Sequence, residues 1–377
     1  MNARRTPGGL DRYILERPNN ITGYPMKIAQ IAPLYEAVPP QLYGGTERVV
    51  ASLCDALCEL GHEVVLFAAG DARTKAKLVT TRRRALRLDP SPLKSDQAAH
   101  LTMLHEVRKL ANAFDVMHFH TELLHFPLFE GLEHRAVTTL HGRLDIEDLQ
   151  SALACWPKFP LVSISDSQRL PVRAANWVAT VKHGLPAEMY RPPRRPSGAY
   201  LAFLGRISPE KGADRAIQLA RRAGIPLKIA AKVDRGDAAY FEAVVKPLLD
   251  DPLVEFIGEI GDSEKSEFLG NARALLFPIQ WPEPFGLVMI ESMACGTPVV
   301  AWNRGSVPEI IDDGVTGFIV ESEDQALRAI EQAMGMDRHR VRSRFEQRFS
   351  ARAMAEGYVK VYEQMARPRR ELVRLVS

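Results

Sequence analysis

At 377 residues the chain is long enough for two domains of ordinary size and a substantial core. Its 46% hydrophobic and 25% charged residues are those of a globular protein, and a formal net charge of +3 excludes a bulk electrostatic case for nucleic acid. Four cysteines, Cys54, Cys58, Cys155 and Cys295, are too few for a disulfide scaffold. Cys54 and Cys58 lie one helical turn apart without a nearby His/Cys pair, so they read as reduced core residues rather than as metal ligands. No apolar stretch is long enough to span a bilayer, and the default expectation is a cytoplasmic protein.

Residues 1–25 are polar and carry Arg, Pro and Gly, without the apolar run of a signal peptide. They read as an extension, disordered or added by an upstream start codon. Lys27 to Ala32 gives the first buried strand. The loop over 33–45 ends in Tyr-Gly-Gly-Thr, a helix follows over about 47–60 with Gly61 as its stop, and 62–68 is the next strand. This βαβ unit places Gly44 and Gly45 at its first turn, where bare backbone can approach a phosphate or a sugar. The pattern is not Gly-x-Gly-x-x-Gly, and a plain tight turn is the alternative.

Residues 73–94 carry eight Lys or Arg against one acid, Asp89. Such a run reads either as a solvated face or as a surface that docks peripherally on anionic lipid at the inner membrane face. Helical spacing follows over 100–113. Strands are expected over 115–119, ending near His118 and His120, and over 136–140, with His141-Gly142 at the carboxyl end. Ligands of open α/β sheets bind beyond the carboxyl ends of the strands, which puts all three histidines at the right edge. Of the three, His141 is the candidate ligand contact, His118 and His120 read as supporting or packing residues, and a structural role is the alternative for His141 too. Strands over 161–164 and 177–181 complete a first domain spanning 26–184, with Ser165-Asp166-Ser167-Gln168 as a helix start between them.

Residues 185–198 are rich in Pro and Arg and read as a semi-rigid linker. Strand-helix alternation then restarts over 199–348, and a closing helix begins near 349. After the strand over 200–204, Ser208 is placed as an N-cap with Pro209 at N1, so that Lys211 falls in the first helical turn. Cations are disfavoured at a helix N-terminus, and Arg206 and Lys211 make sense there if an anion sits between them. Further strands are expected over 227–231, 254–257 and 274–277. A short buried helix is expected from near Phe285 to Gly296, its entry stiffened by Pro282 and Pro284. Glu283 and Glu291 frame it, about 12 Å apart at helical rise. Free amides at Phe285, Gly286, Leu287 and Val288 would offer an anion site, and the carboxylates would accept from sugar hydroxyls. The plainer alternative is a helix-start glutamate and a solvated one.

The run Glu-Pro-Phe-Gly-Leu-x-x-x-Glu-x-Met-Ala-x-Gly-x-Pro-Val-Val-Ala from Glu283 resembles the signature of the GT4 family of retaining glycosyltransferases. Gly205-Arg206 and Glu210-Lys211-Gly212 match the family's Gly-Arg…Glu-Lys-Gly motif, and the likeness runs from about 26 to 366, densest in the second half. The resemblance implies an α/β architecture of the GT-B type: two Rossmann-like parallel-sheet domains facing a central cleft, with the helix over 349–377 crossing back to the first. It also implies roles. Glu283 would lie by the transferred sugar, Glu291 on the ribose, Arg206 and Lys211 on the diphosphate, and Ile260 beside the base. Gly44 and Gly45 would touch the donor, and His141 the donor sugar. The first loop departs from the Lys-x-Gly-Gly of starch and glycogen synthases, which argues against storage-polymer elongation.

The implied activity is retaining transfer of a sugar from a UDP, GDP or ADP donor to a hydroxyl of a glycan, lipid-linked or small-molecule acceptor. No Asp-x-Asp pattern occurs, so neither metal nor cofactor is expected and fixed cations would meet the departing diphosphate. The competing expectations are a sugar-nucleotide epimerase or glycoside phosphorylase of the same fold, and a non-catalytic nucleotide-sugar-binding scaffold.

Overall fold

Near-continuous apolar runs such as Ile28–Ile31, Val64–Ala68 and Ala274–Phe277 are the pattern of strands covered on both faces, and they form two wholly parallel sheets. The computed structural model describes residues 25–41 and 44–376, with side chains as far as Ala366. The expected extension, but for Pro25, lies outside the described residues.

The first sheet has seven strands: β1 (Lys27–Ile31), β2 (Glu63–Ala68), β3 (Lys77–Thr80), β4 (Val116–Phe119), β5 (Ala136–Thr139), β6 (Leu161–Ser163) and β7 (Trp177–Thr180). Their spatial order is β3-β2-β1-β4-β5-β6-β7. The second has six, β8 (Tyr200–Arg206), β9 (Leu227–Lys232), β10 (Val254–Gly258), β11 (Ala272–Phe277), β12 (Val299–Trp302) and β13 (Gly317–Val320), in the order β10-β9-β8-β11-β12-β13. Each sheet therefore reverses its winding once, between β1 and β4 and between β8 and β11. The crevice beyond the carboxyl ends of those strands is where such sheets hold ligands.

Helices α1 (Gly45–Glu59), α2 (Asp96–Lys109), α3 (Phe126–Phe129) and α4 (Glu147–Cys155) belong to the first sheet. The second carries α5 (Ala213–Ala223), α6 (Ala238–Tyr240), α7 (Asp262–Gly270), α8 (Leu287–Ala294), α9 (Val307–Ile310), α10 (Glu323–Ala333) and α11 (Arg338–Arg348). Val49, Val50, Leu53, Cys54 and Leu57 give α1 one buried stripe, and Gly61, at φ 87°, turns the chain after it. The closing helix α12 (Ala351–Val376) leaves the second domain, where Ala351 N–H donates to Leu185 O, and packs on α1 in the core of the first. Cys54 is buried and Cys58 half-buried, both as free thiols.

The basic run contains a strand, β3, and three of its cations meet acids, Lys75 with Glu59, Arg82 with Asp89 and Arg87 with Glu36, while Arg83 and Arg84 are exposed. Two local expectations are corrected. The helix after β11 starts at Leu287 and not near Phe285, because Gly286 at φ 77° breaks the backbone path between them. Lys211 lies in a single 3-10 turn over Pro209–Lys211, and α5 begins only after Gly212 at φ 71°. Gly212 is needed there, since a Cβ would stand 2.6 Å from the Pro278 carbonyl oxygen. Ser208 makes no side-chain cap. Among the described residues no helix is long and apolar enough to cross a membrane.

Candidate active site in the interdomain cleft

A cavity of about 710 Å3 lies between the carboxyl ends of the two sheets. All the residues singled out from the sequence line it: Gly44, Gly45, His141, Arg206, Lys211, Ile260, Glu283, Phe285, Gly286, Leu287, Val288 and Glu291. The amino ends of α1 and α8 meet there, from opposite domains. A Cβ on Gly45 would stand 3.3 Å from Leu287 Cδ1, so the first turns of the two helices lie in near contact across the cleft.

On the second-domain wall the loop over 281–286 is clamped by backbone. Ser306 N–H donates to Glu283 O and the Ser306 hydroxyl to Phe285 O, both at 2.9 Å. Gly305 lies so close that a Cβ would meet Glu283 N and O at 2.4 Å. The Glu283 carboxylate is buried and accepts from Lys211 Nζ at 2.5 Å, while Lys211 also lies 5.4 Å from the centre of the Trp281 ring. Arg206 is ringed by Glu210, Asp234 and Asp237 at 3.1, 3.8 and 3.4 Å. The expectation that the two cations await an outside anion is thus amended, because protein carboxylates already face them. Arg206 is 31% exposed, and ion pairs at such exposure are individually weak.

Glu291 is nearly buried and belongs to a charge network absent from the sequence reading. Its Oε1 accepts from Lys265 Nζ at 2.8 Å and from the Tyr190 hydroxyl at 3.3 Å. Lys265 also pairs with Asp262, which pairs with Arg48 of α1 at 3.0 Å. Although burial works to raise the Asp262 pKa, Arg48 and Lys265 more than offset it and hold the carboxyl below the usual range. The only local signal was Asp262 and Lys265 at i, i+3; Tyr190 and Arg48 come from distant elements.

The first-domain wall holds groups of the opposite character. Burial depresses His118, His120 and His183 well below the ordinary histidine value, and His141 to about 3, so the rings are neutral. His141 stacks on His183 at 5.2 Å, and His183 lies 4.8 Å from Phe285 across the cleft. His118 lies within β4, and His120, just past its end, also lines the cleft and meets His141. Glu122, passed over in the sequence, lines the cleft at φ 51°. Burial pushes its carboxyl up to about 7, although backbone N–H groups of His141 and Gly142 donate to it. Its signal would have been the acid two residues beyond His120 at a strand's carboxyl end.

The domains are joined beside the site. The Ser165 hydroxyl donates to Pro284 O at 2.6 Å, and the Glu309 carboxylate accepts from Asp166 N–H and Ser167 N–H at 2.9 and 2.8 Å. Residues 185–198 are pinned rather than slack, with Tyr190 fully buried and Arg342 donating to the Ala187 and Tyr190 carbonyls.

With this geometry in hand, comparison with known proteins is informative. The family "Glycosyl transferases group 1" matches residues 189–349, and "Glycosyltransferase Family 4" matches residues 43–204. A D-inositol 3-phosphate glycosyltransferase of Saccharomonospora viridis is 30% identical over 225 residues, 52% of this chain and 52% of the relative. An uncharacterized 41.2 kDa protein in the cps region of Klebsiella pneumoniae is 30% identical over 43% of this chain and 46% of its own length. The chain thus spans about half the length of these curated relatives. Among solved structures, AviGT4, a glycosyltransferase involved in avilamycin A biosynthesis, superposes with a TM-score of 0.68 at 25% identity, covering 91% of this chain and 98% of that one. Anabaena HepE, solved with UDP and glucose, superposes at 0.67 and 17% identity over 90% and 99%, a likeness of fold. The two family matches overlap over residues 189–204 and together cover residues 43–349, and the chain belongs to the GT4-type glycosyltransferases of GT-B fold.

Proposed function

We propose that the chain is a retaining, metal-independent glycosyltransferase that moves a sugar from a nucleoside-diphosphate donor to an acceptor hydroxyl. The observation that carries the reading is the convergence of Arg206, Lys211 and the amino ends of α1 and α8 in one cleft. A diphosphate is the ligand that such an arrangement suits: two part-exposed cations and two positive helix ends. Lys211 would exchange Glu283 for phosphate oxygen on donor binding, which frees the Glu283 carboxylate to accept from hydroxyls of the sugar. As the glycosidic bond breaks, negative charge grows on the departing diphosphate, and the cations already seated on it stabilise that charge. Glu291, tied to Lys265, would hold the ribose, and Ile260 would lie beside the base. His141 and Glu122 line the facing wall, where an acceptor would enter beside the sugar.

The donor base is open among UDP, GDP and ADP, and a thermal-shift panel of the three sugar-nucleotide classes decides it. A ligand at 100 times its dissociation constant adds about 2.7 kcal/mol to stability. One class should raise the melting temperature and support sugar transfer in an acceptor screen. No shift with any of them would remove the reading.

A further inference from the structure

A chain of hydrogen bonds runs under the cleft from α12 to His141, and the chemistry of its members fixes where the protons sit. Gln30 is the key, because a carboxamide has one end that only donates and one that only accepts. Its Nε2 donates to the Tyr362 hydroxyl at 3.0 Å. Its Oε1 lies 2.8 Å from His120 Nε2, so that nitrogen must carry a proton. His120 is fully enclosed and neutral, which leaves its Nδ1 bare, and the partner of Nδ1 at 2.8 Å is His141 Nε2. His141 must therefore donate from Nε2. Being neutral as well, it keeps its lone pair on Nδ1, a buried atom without a partner among the described residues on a ring that lines the cleft.

The other branch agrees. The Tyr362 hydroxyl, accepting from Gln30, gives its proton to His118 Nδ1 at 2.7 Å. His118 Nε2 then donates to Thr139 Oγ1 at 2.7 Å, which meets the Tyr358 hydroxyl at 2.9 Å. Gln30, His118, Thr139, Tyr358 and Tyr362 have no exposed surface and His120 has 2%. Turning the Gln30 amide over would reverse every proton in the chain. It would also leave a buried N–H without an acceptor at His141 Nδ1, the less tolerated kind of orphan.

We infer that Gln30 and Tyr362 are positioning residues through which the C-terminal helix sets the tautomer of His141, so that its Nδ1 presents a lone pair to a ligand hydroxyl in the cleft. The inference rests on the glycosyltransferase reading only in naming that ligand group as a sugar hydroxyl. A carboxylate at the same place would face a lone pair with no proton to give, so the relay selects a neutral hydroxyl-bearing sugar over an acidic one.

The test needs no ligand. The full chain is produced with 15N in its histidine rings, and long-range proton–nitrogen correlation spectra at pH 7.5 report which nitrogen of each ring is protonated. His141 is assigned by the signals lost in His141→Asn. The expected result is a neutral His141 protonated at Nε2 alone; protonation at Nδ1, or averaging between the two, overturns the inference. In Tyr362→Phe the Gln30 amide loses its acceptor on α12, and the His141 signals should move toward a tautomer mixture; unchanged signals would remove α12 from the relay. Gln30→Met should do the same, and Tyr362→Phe decides if that variant does not fold. An absence of sugar-nucleotide turnover would sink the transferase reading and leave these spectra as expected, whereas Nδ1 protonation would sink the relay alone.

Discussion

At the scale of single residues, the cleft opposes two kinds of chemistry. One wall carries Arg206, Lys211 and their carboxylate partners; the other carries neutral imidazoles and a carboxyl whose ionisation burial delays to about pH 7. Glu122 is the residue whose titration should be visible. Its folded pKa of about 7 lies above its ordinary 4.5, so its contribution to stability is present below 4.5 and lost as the pH rises through 7. The histidines work the other way: stability is present above 6.5 and lost as the pH falls toward about 3 at His141. Glu122→Gln removes only the first effect. The variant should melt with wild type at pH 5 and above it at pH 8, by up to about 3 kcal/mol at 1.36 kcal/mol per pKa unit. Equal melting at both values would show that the carboxyl is not held neutral. Arg206, Lys211, Glu283 and Glu291 were legible in the sequence because they stand in short motifs at fixed spacing. Glu122 was not, since its environment is assembled from the β5 loop, a different element.

At the scale of elements, the central strands were easiest to read, because both faces of β1, β2, β4, β5, β11 and β12 are covered and their sequences are near-continuously apolar. β3 was missed for the converse reason: Lys77-Leu-Val-Thr is a part-exposed edge strand inside a run of cations. The two misplaced helix starts have one cause. Gly212 and Gly286 are left-handed N-cap residues in crowded places, Gly212 against the Pro278 carbonyl and Gly286 against the Met289 and Phe277 side chains, and each delays the helix until after it. Gly305 shows how tight the site loop is. Adding a Cβ at φ 56° against the Glu283 backbone forces a shift of the kind that costs about 1–3 kcal/mol. Gly305→Ala should lower the melting temperature and weaken nucleotide-sugar binding together, measured by scanning calorimetry and titration. Full stability with unchanged binding would show that the Gly305–Glu283 contact does not hold the loop.

At the scale of the whole molecule, two parallel sheets present their switch points to one crevice, and α12 ties the second domain back into the first. Domain number and class followed from alternation and from the Pro/Arg-rich break at 185–198. The network of Arg48, Asp262, Lys265, Glu291 and Tyr190 did not, because its members meet only when α1, α7, α8 and the 185–198 segment pack together. The same holds for the relay behind His141, whose ends are more than two hundred residues apart in sequence. The account rests on Arg206 and Lys211 exchanging carboxylates for a diphosphate. The direct measurement is calorimetric titration of UDP, GDP and ADP into the wild-type chain and into folded Arg206→Ala and Lys211→Ala variants. The account predicts that the nucleotide bound by wild type binds each variant at least tenfold more weakly, about 1.4 kcal/mol. Equal affinity for all three proteins would contradict it.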